Sequence, residues 1–154
     1  MIPPGADPFK PQRGRVLLVE DEPSARATLG AILGDDFTVE AVGTSSEALR
    51  ALSSGTWDVL VADYDLGEPL TTGTGVLDRG AALNPGMSGI LLTGHTNYPE
   101  VRELQRQGRF LVLFKPVEPD QLVAWVKNGV AMARLFRTRS MSESRRLARR
   151  GEAG

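Results

Sequence analysis

The chain has no cysteine and a single histidine among its 154 residues. Disulfides, thiolate nucleophiles and cysteine-built metal clusters are therefore excluded, and a reducing compartment is favoured. No apolar run approaches the roughly 20 residues that a membrane-spanning helix requires. The start, Met1-Ile2-Pro3-Pro4-Gly5, has neither the basic residues nor the apolar stretch of a secretory signal. The protein is expected in the cytoplasm, without membrane association.

What is present suits one domain around one core, since 41% of the residues are hydrophobic. The net charge of −1 is unevenly divided. Residues 137–154 hold six arginines against Glu143 and Glu152, which leaves −5 on residues 1–136. An acidic body with a basic tail predicts separate tasks or tail-to-body contact.

The most informative stretch is Trp57-Asp58-Val59-Leu60-Val61-Ala62-Asp63. Leu60, Val61 and Ala62 leave no polar face, as in a strand buried on both sides. Asp63 then stands at its carboxyl end, where open α/β sheets place their chemistry. Two similar runs end on polar groups: Val16 to Val19 leads into Glu20-Asp21, and Phe110 to Phe114 into Lys115-Pro116.

In order, residues 1–13 with four prolines read as a flexible lead-in. Arg15 to Val19 is strand 1, and helix 1 follows from Pro23, with Ala25, Leu29, Ile32 and Leu33 at helical spacing. Phe37 to Val42 alternates as strand 2. Thr44-Ser45-Ser46-Glu47 caps helix 2, which Ser53-Ser54-Gly55 closes. After strand 3, Asp65 to Gly75 is a Gly- and Thr-rich loop and Val76 to Leu83 a short helix 3. Gly89 to Thr93 is strand 4. Asn97 or Thr96 is expected to cap helix 4, with Pro99 in its first turn and Gly108 at its end. Phe110 to Phe114 is strand 5, and helix 5 runs from Pro119 to about Arg137. Five strand–helix pairs in alternation predict an α/β flavodoxin-like (βα)5 three-layer sandwich with parallel strand order 2-1-3-4-5.

That topology gathers Glu20, Asp21, Asp63, Thr93 and Lys115 at one sheet edge. Three carboxylates this close cannot all stay ionised without a compensating cation. Oxygen ligands with room for water suit Mg²⁺, and a hydroxyl and an ammonium add donors for a dianion. The set suits phosphoryl transfer.

Val16-Leu-Leu-Val-Glu-Asp-Glu22, Val61-Ala-Asp63, Leu91-Leu-Thr-Gly94 and Phe114-Lys-Pro116 together resemble the receiver domain of two-component response regulators, in the CheY-like superfamily. The resemblance covers roughly residues 14–136, leaving 137–154 as a basic tail. It implies that Asp63 is the phosphoacceptor, attacking the phosphoryl group of a histidine-kinase phosphohistidine. Asp21, Asp63 and the Asp65 backbone carbonyl would bind Mg²⁺, with Glu20 holding a metal-bound water. Lys115 would pair with phosphoryl oxygens, and Thr93 would move to bond one of them. A cis Lys115–Pro116 bond is implied too. Such a domain is not an enzyme in its own right; it takes up a phosphoryl group, from a kinase or phosphotransfer protein, and slowly loses it.

Each residue also has a plainer role open to it. Asp63 suits a strand-end acid, Glu20-Asp21-Glu22 a helix-start cluster, Thr93 a turn hydroxyl, and Lys115 a solvated surface. The single histidine, His95, is not read as a phosphodonor.

Four departures from the receiver pattern stand out. Val112 occupies the place of the usual Tyr or Phe, the ring that turns when the threonine moves. Phe110 and Phe114 share its face but have the wrong offsets. Gly94 replaces the common alanine, and Gly67 a common proline. Asp65 and His95 sit two residues beyond the acceptor and the threonine, positions that in the family influence how long the phosphoryl group survives.

On helix 5, Leu122, Val123, Val126, Val130 and Ala133 form a core band. Trp125, Gly129, Met132 and Phe136 form a second stripe. This stripe either widens the buried face or serves a downstream partner or a homodimer, as the helix 4–strand 5–helix 5 face does in receivers. The tail, too short for a DNA-binding output domain, has three readings: it prolongs helix 5, it binds acidic partners, or, the default expectation, it is solvated and partly disordered. Nucleic acid is not the expected partner, because no aromatic platform accompanies its arginines. Two alternatives stand beside the phosphoacceptor. One is a receiver-like interaction module whose output ignores phosphorylation. The other is a phosphatase of the haloacid dehalogenase type, suggested by the D-x-D of Asp63-Tyr64-Asp65.

Overall fold

The structure, a computed structural model, describes residues 12–68 and 72–152. Most of the expected lead-in, and residues 69–71 of the loop after strand 3, lie outside these. Five strands, β1 (Arg15–Val19), β2 (Thr38–Val42), β3 (Val59–Asp63), β4 (Ser88–Thr93) and β5 (Leu111–Phe114), alternate with five helices. The helices are α1 (Pro23–Gly34), α2 (Ser45–Ser54), α3 (Gly73–Leu83), α4 (Pro99–Gln107) and α5 (Pro119–Glu152). The sheet is parallel in the order β2-β1-β3-β4-β5, as its alternating pattern predicts.

Alternation along each strand sorts the core into two layers. Leu17, Val19, Leu60, Ala62 and Leu91 face one side, with Ala48, Leu52, Val76, Leu77, Val101 and Leu104 from α2, α3 and α4. Val16, Leu18, Val59, Val61, Ile90 and Leu92 face the other, with Leu33 of α1 and Leu122, Val126 and Val130 of α5. Burying each such side chain contributes about 2 kcal/mol, whereas an exposed pair such as Lys127–Asp36, at 3.6 Å, contributes less than about 1 kcal/mol. The apolar band, not the ion pair, therefore docks α5.

Strands β2, β4 and β5 start one residue from the expected positions, and three helix boundaries also differ from expectation. Helix α3 begins at Gly73, three residues early, because its start packs on the end of β3. A Cβ on Gly73 would lie 2.2 Å from the Asp63 carbonyl oxygen, so only glycine admits this approach. At α4 the N-cap is Tyr98, which makes no side-chain cap bond, and Pro99 follows at the first helical position. Neither expected cap serves; Asn97 instead accepts from Arg102 at 3.1 Å.

Helix α5 is the third. It continues through Glu152, 34 residues in all, so the tail prolongs the helix in place of the default, partly disordered form. Arg, Met, Leu and Ala favour helix, and extending an existing helix needs no new nucleus. The extension is fastened where it leaves the body: Arg137 donates to Asp58, whose other oxygen accepts from the Arg15 backbone N–H at 2.8 Å. From Thr138 to Gly151 it is exposed.

Two glycines of α3 test this packing. Gly73→Ala is expected to cost about 2 kcal/mol in urea unfolding, by forcing α3 off β3. Gly75, with no atom near its would-be Cβ, should gain up to about 1 kcal/mol as Gly75→Ala. The opposite order would contradict the placement of α3.

Candidate functional site

The carboxyl ends of β1, β3, β4 and β5 converge, and backbone hydrogen bonds continue past the strands to hold the residues that follow. Glu20 N–H donates to the Val42 carbonyl at 3.0 Å, Tyr64 N–H to that of Leu92 at 2.8 Å, and Lys115 N–H to that of Thr93 at 2.9 Å. One oxygen each from Glu20, Asp21 and Asp63 lies within 4.8 Å of the others. Lys115 Nζ stands 2.6 Å from Asp63 Oδ1 and 3.9 Å from Glu20 Oε2. Glu20, Asp63 and Thr93 are buried, at 2%, 4% and 1% exposure. The Lys115–Pro116 bond is cis.

Glu22, third in the acidic run, is separate. Its side chain caps α1, accepting from Ser24 N–H at 3.0 Å and Ala25 N–H at 2.5 Å. These bonds hold its carboxyl below the usual range. The helix-start role therefore falls to Glu22, while Glu20 and Asp21 belong to the trio.

Burial pushes the Glu20 carboxyl up, and the neighbouring Asp63 charge adds to the effect. Burial also raises Asp63, against the hydrogen bond and charge of Lys115. Burial alone would lower the Lys115 ammonium, but its hydrogen bond to Asp63 and the two carboxylate charges outweigh that and raise it. One ammonium thus serves the two buried carboxylates, and among the described residues no cation lies within 4 Å of the Asp21 carboxylate. The imbalance has a visible sign: Glu20 Oε2 is buried with no hydrogen-bond partner among the described residues, a situation that costs about 1–3 kcal/mol. Gly67, at φ 67°, keeps the approach open, since a Cβ there would lie 2.7 Å from Asp21 Oδ2. A buried orphan oxygen within a cluster of hard oxygen donors fits a small divalent cation.

Asp65 lies apart from the trio. Its Oδ2 is 2.8 Å from His95 Nε2. The His95 backbone N–H in turn donates to Thr93 Oγ1 at 3.0 Å. The His95 ring stacks on Tyr98, with centroids 4.0 Å apart and planes 5° from parallel, and meets Tyr64 edge-on at 5.7 Å. Tyr64 Oη donates to Glu100 Oε2 at 2.6 Å, and this bond first of all pushes its hydroxyl up to about 12. The chain's two tyrosines and its one histidine therefore meet at one place. Sequence reasoning missed both tyrosines; the available signal was the position of Tyr64 directly after the strand-end acid. It also missed Glu68, whose carboxylate binds Ser45 N–H and Oγ at 2.9 and 2.5 Å, tying this loop to α2.

Val112 packs against the inner cluster together with Phe110 and Phe114, so no ring occupies its place. On α5 the second stripe does not widen the core. Trp125, Met132 and Phe136 are 39%, 54% and 45% exposed. Gly129 brings the helix backbone close enough for Ser88 Oγ to donate to its carbonyl at 2.8 Å, and the larger residues on either side lie outside. Trp125 and Met132 line a groove with Met87, Phe110 and Val112. Among the described residues, no helix is long and apolar enough to cross a membrane.

A family model for the response regulator receiver domain matches residues 16–127. The DNA-binding transcriptional regulator NtrC of Escherichia coli K12 is 32% identical over 121 residues, 78% of this chain and 25% of that protein. The hydrogenase transcriptional regulatory protein HoxA of Bradyrhizobium diazoefficiens is 29% identical over 124 residues, 80% of this chain and 25% of that one. The chain thus spans about a quarter of the length of these relatives. Among solved structures, a CheY-like receiver domain protein from Methanospirillum hungatei aligns with a TM-score of 0.71 at 25% identity. That match covers 80% of this chain and 98% of the other.

The electrostatics give a pH test. A carboxyl raised in the fold binds protons more readily folded than unfolded, so its ionisation removes stability as pH rises above the ordinary 4.5. Glu20→Gln should therefore raise the melting temperature of the metal-free protein at pH 7, with the gain shrinking as pH falls towards 4.5. A loss at pH 7, or a gain independent of pH, would contradict the description of Glu20.

Proposed function

The chain belongs to the response regulator receiver domain family, and we propose that it carries a phosphoryl signal on Asp63. The donor is a histidine kinase or phosphotransfer protein. An Asp63 carboxylate oxygen attacks phosphorus, an O–P bond forms as the P–N bond to the donor imidazole breaks, and that imidazole leaves with the electron pair. Supporting this most directly is Lys115 Nζ, 2.6 Å from the buried Asp63 Oδ1 inside the acidic trio. The contact keeps a buried carboxyl charged for attack and places a cation where phosphoryl oxygens arrive.

The donor set fits Mg²⁺, with Asp21, Asp63 and the Asp65 backbone carbonyl as ligands and Glu20 acting through a water. When bound, the ion would neutralise the acids and the incoming phosphoryl oxygens. Thr93, buried at the end of β4, turns its hydroxyl to a phosphoryl oxygen. Downstream contact falls to the α4–β5–α5 face with its exposed Trp125 and Met132, for a protein partner or a second copy. A cytoplasmic setting belongs to the same proposal. A receiver is a signalling domain rather than a classical enzyme, which sets aside the phosphatase alternative. The phosphorylation-independent module keeps one observation in its favour, the aliphatic Val112.

Acetyl phosphate with Mg²⁺ should add one phosphoryl group to the wild type, and none to Asp63→Asn or after chelation. An adduct persisting in Asp63→Asn would overturn the assignment. Phosphoryl lifetime gives a second check. Asp65 and His95 pair with each other, so His95→Ala and Asp65→Asn should each change decay of the phospho-protein, and the double variant should change it no further. Decay unaltered in both single variants would remove these residues from lifetime control.

A further inference from the structure

We propose that the Tyr64–His95–Tyr98 cluster couples the phosphoryl site to α4, in place of the ring that Val112 lacks. The inference rests on the receiver reading of Asp63 and extends it to how that site is read out.

Val112 has no ring to turn and no hydroxyl to exchange partners, and it packs inward. Thr93 has another route outward. Its Oγ1 accepts the His95 N–H at 3.0 Å, and the His95 ring lies flat on Tyr98, 4.0 Å away. Tyr98 is the residue directly before α4. A second strut runs in parallel from the residue after Asp63: Tyr64 Oη donates to Glu100 Oε2 at 2.6 Å, in the first turn of α4. Thr72 Oγ1 reaches the other Glu100 oxygen at 3.5 Å. A third contact joins the two routes, from Asp65 Oδ2 to His95 Nε2 at 2.8 Å.

The start of α4 is thus fastened to the exits of β3 and β4 and, through Thr72, to the start of α3. Further along, α4 is anchored by the buried Val101 and Leu104. When Thr93 turns towards a phosphoryl oxygen, the hydrogen bond from His95 N–H lengthens and the His95 ring moves with its backbone. Tyr98 follows the ring, and the strut from Tyr64 to Glu100 holds or releases the first turn. Both sites then bias one element with two arrangements, which is the physical content of coupling. Tyr64 and Tyr98 act here as positioning residues and take no part in phosphoryl transfer.

The test uses beryllofluoride with Mg²⁺ on the whole chain, with two readouts. The fluorine resonance of bound beryllofluoride reports occupancy at Asp63, and amide shifts of residues 99–107 report α4. In the wild type both should respond. In Tyr98→Leu, and separately in the conservative Tyr64→Phe, the bound fluorine signal should persist while the α4 response falls about threefold or more. A full α4 response in both variants with the adduct present would overturn the coupling, as would an adduct in the wild type with α4 unmoved. No bound fluorine signal in the wild type would instead strike the receiver reading itself, and the coupling with it.

Discussion

The contact between Lys115 Nζ and Asp63 Oδ1, 2.6 Å long, is the interaction on which the rest of the site depends. Three carboxylates share the edge of the sheet, and removing even one ion from water costs several kcal/mol. Glu20 and Asp63 are buried while Asp21 is not, and a single ammonium does not offset the cost for the two buried acids. Glu20 and Asp63 respond by holding their protons more firmly than usual, and one Glu20 oxygen has no hydrogen-bond partner among the described residues. The acidic cluster is electrostatically unbalanced, and its donor set fits a small cation.

That incompleteness is sustained by the layers beneath it. All five residues of β3 are buried, and the apolar contacts of the sheet with α2, α3 and α5 outweigh the local cost at its edge. Gly73 seats α3 against the very carbonyl of Asp63, so packing adds to the backbone hydrogen bonds from Tyr64 to Leu92 and from Gly73 to Tyr64 that hold this strand end. The aromatic cluster lies next to this rigid point and ties it to α4, which has few buried residues of its own. A stiff, buried carboxylate beside a lightly anchored helix is an arrangement in which a local change of charge can move something.

Much of this was legible in the sequence because buried parallel strands read as apolar runs that stop abruptly on polar residues. Asp63, Glu20-Asp21, Thr93 and Lys115 all stand at such stops, and strand order then brings them together. The start of α3 was not legible, since Thr72-Gly73-Thr74-Gly75 has the composition of a loop and only contact with β3 makes it helical. Nor was the fate of the α5 stripe. Helical spacing groups Trp125 with Met132 and Phe136 but does not show that the backbone at Gly129 occupies the buried position. The aromatic cluster was hidden for a different reason: Tyr64 and Tyr98 lie far apart in the chain, and their meeting depends on how the loops after β3 and β4 turn. Arginine-rich sequence after Phe136 leaves both a prolonged helix and a disordered tail open; its side chains are solvated and its backbone is helical.

The central claim is that the carboxylate of Asp63, and no other group, takes the phosphoryl group. The most direct measurement is chemical trapping after reaction with acetyl phosphate and Mg²⁺. Borohydride reduces an aspartyl phosphate to the corresponding alcohol, which peptide mass spectrometry then locates. The account predicts homoserine at position 63 alone, dependent on Mg²⁺. Reduction at another carboxylate, or phosphate found on a hydroxyl or imidazole with position 63 unchanged, would contradict it.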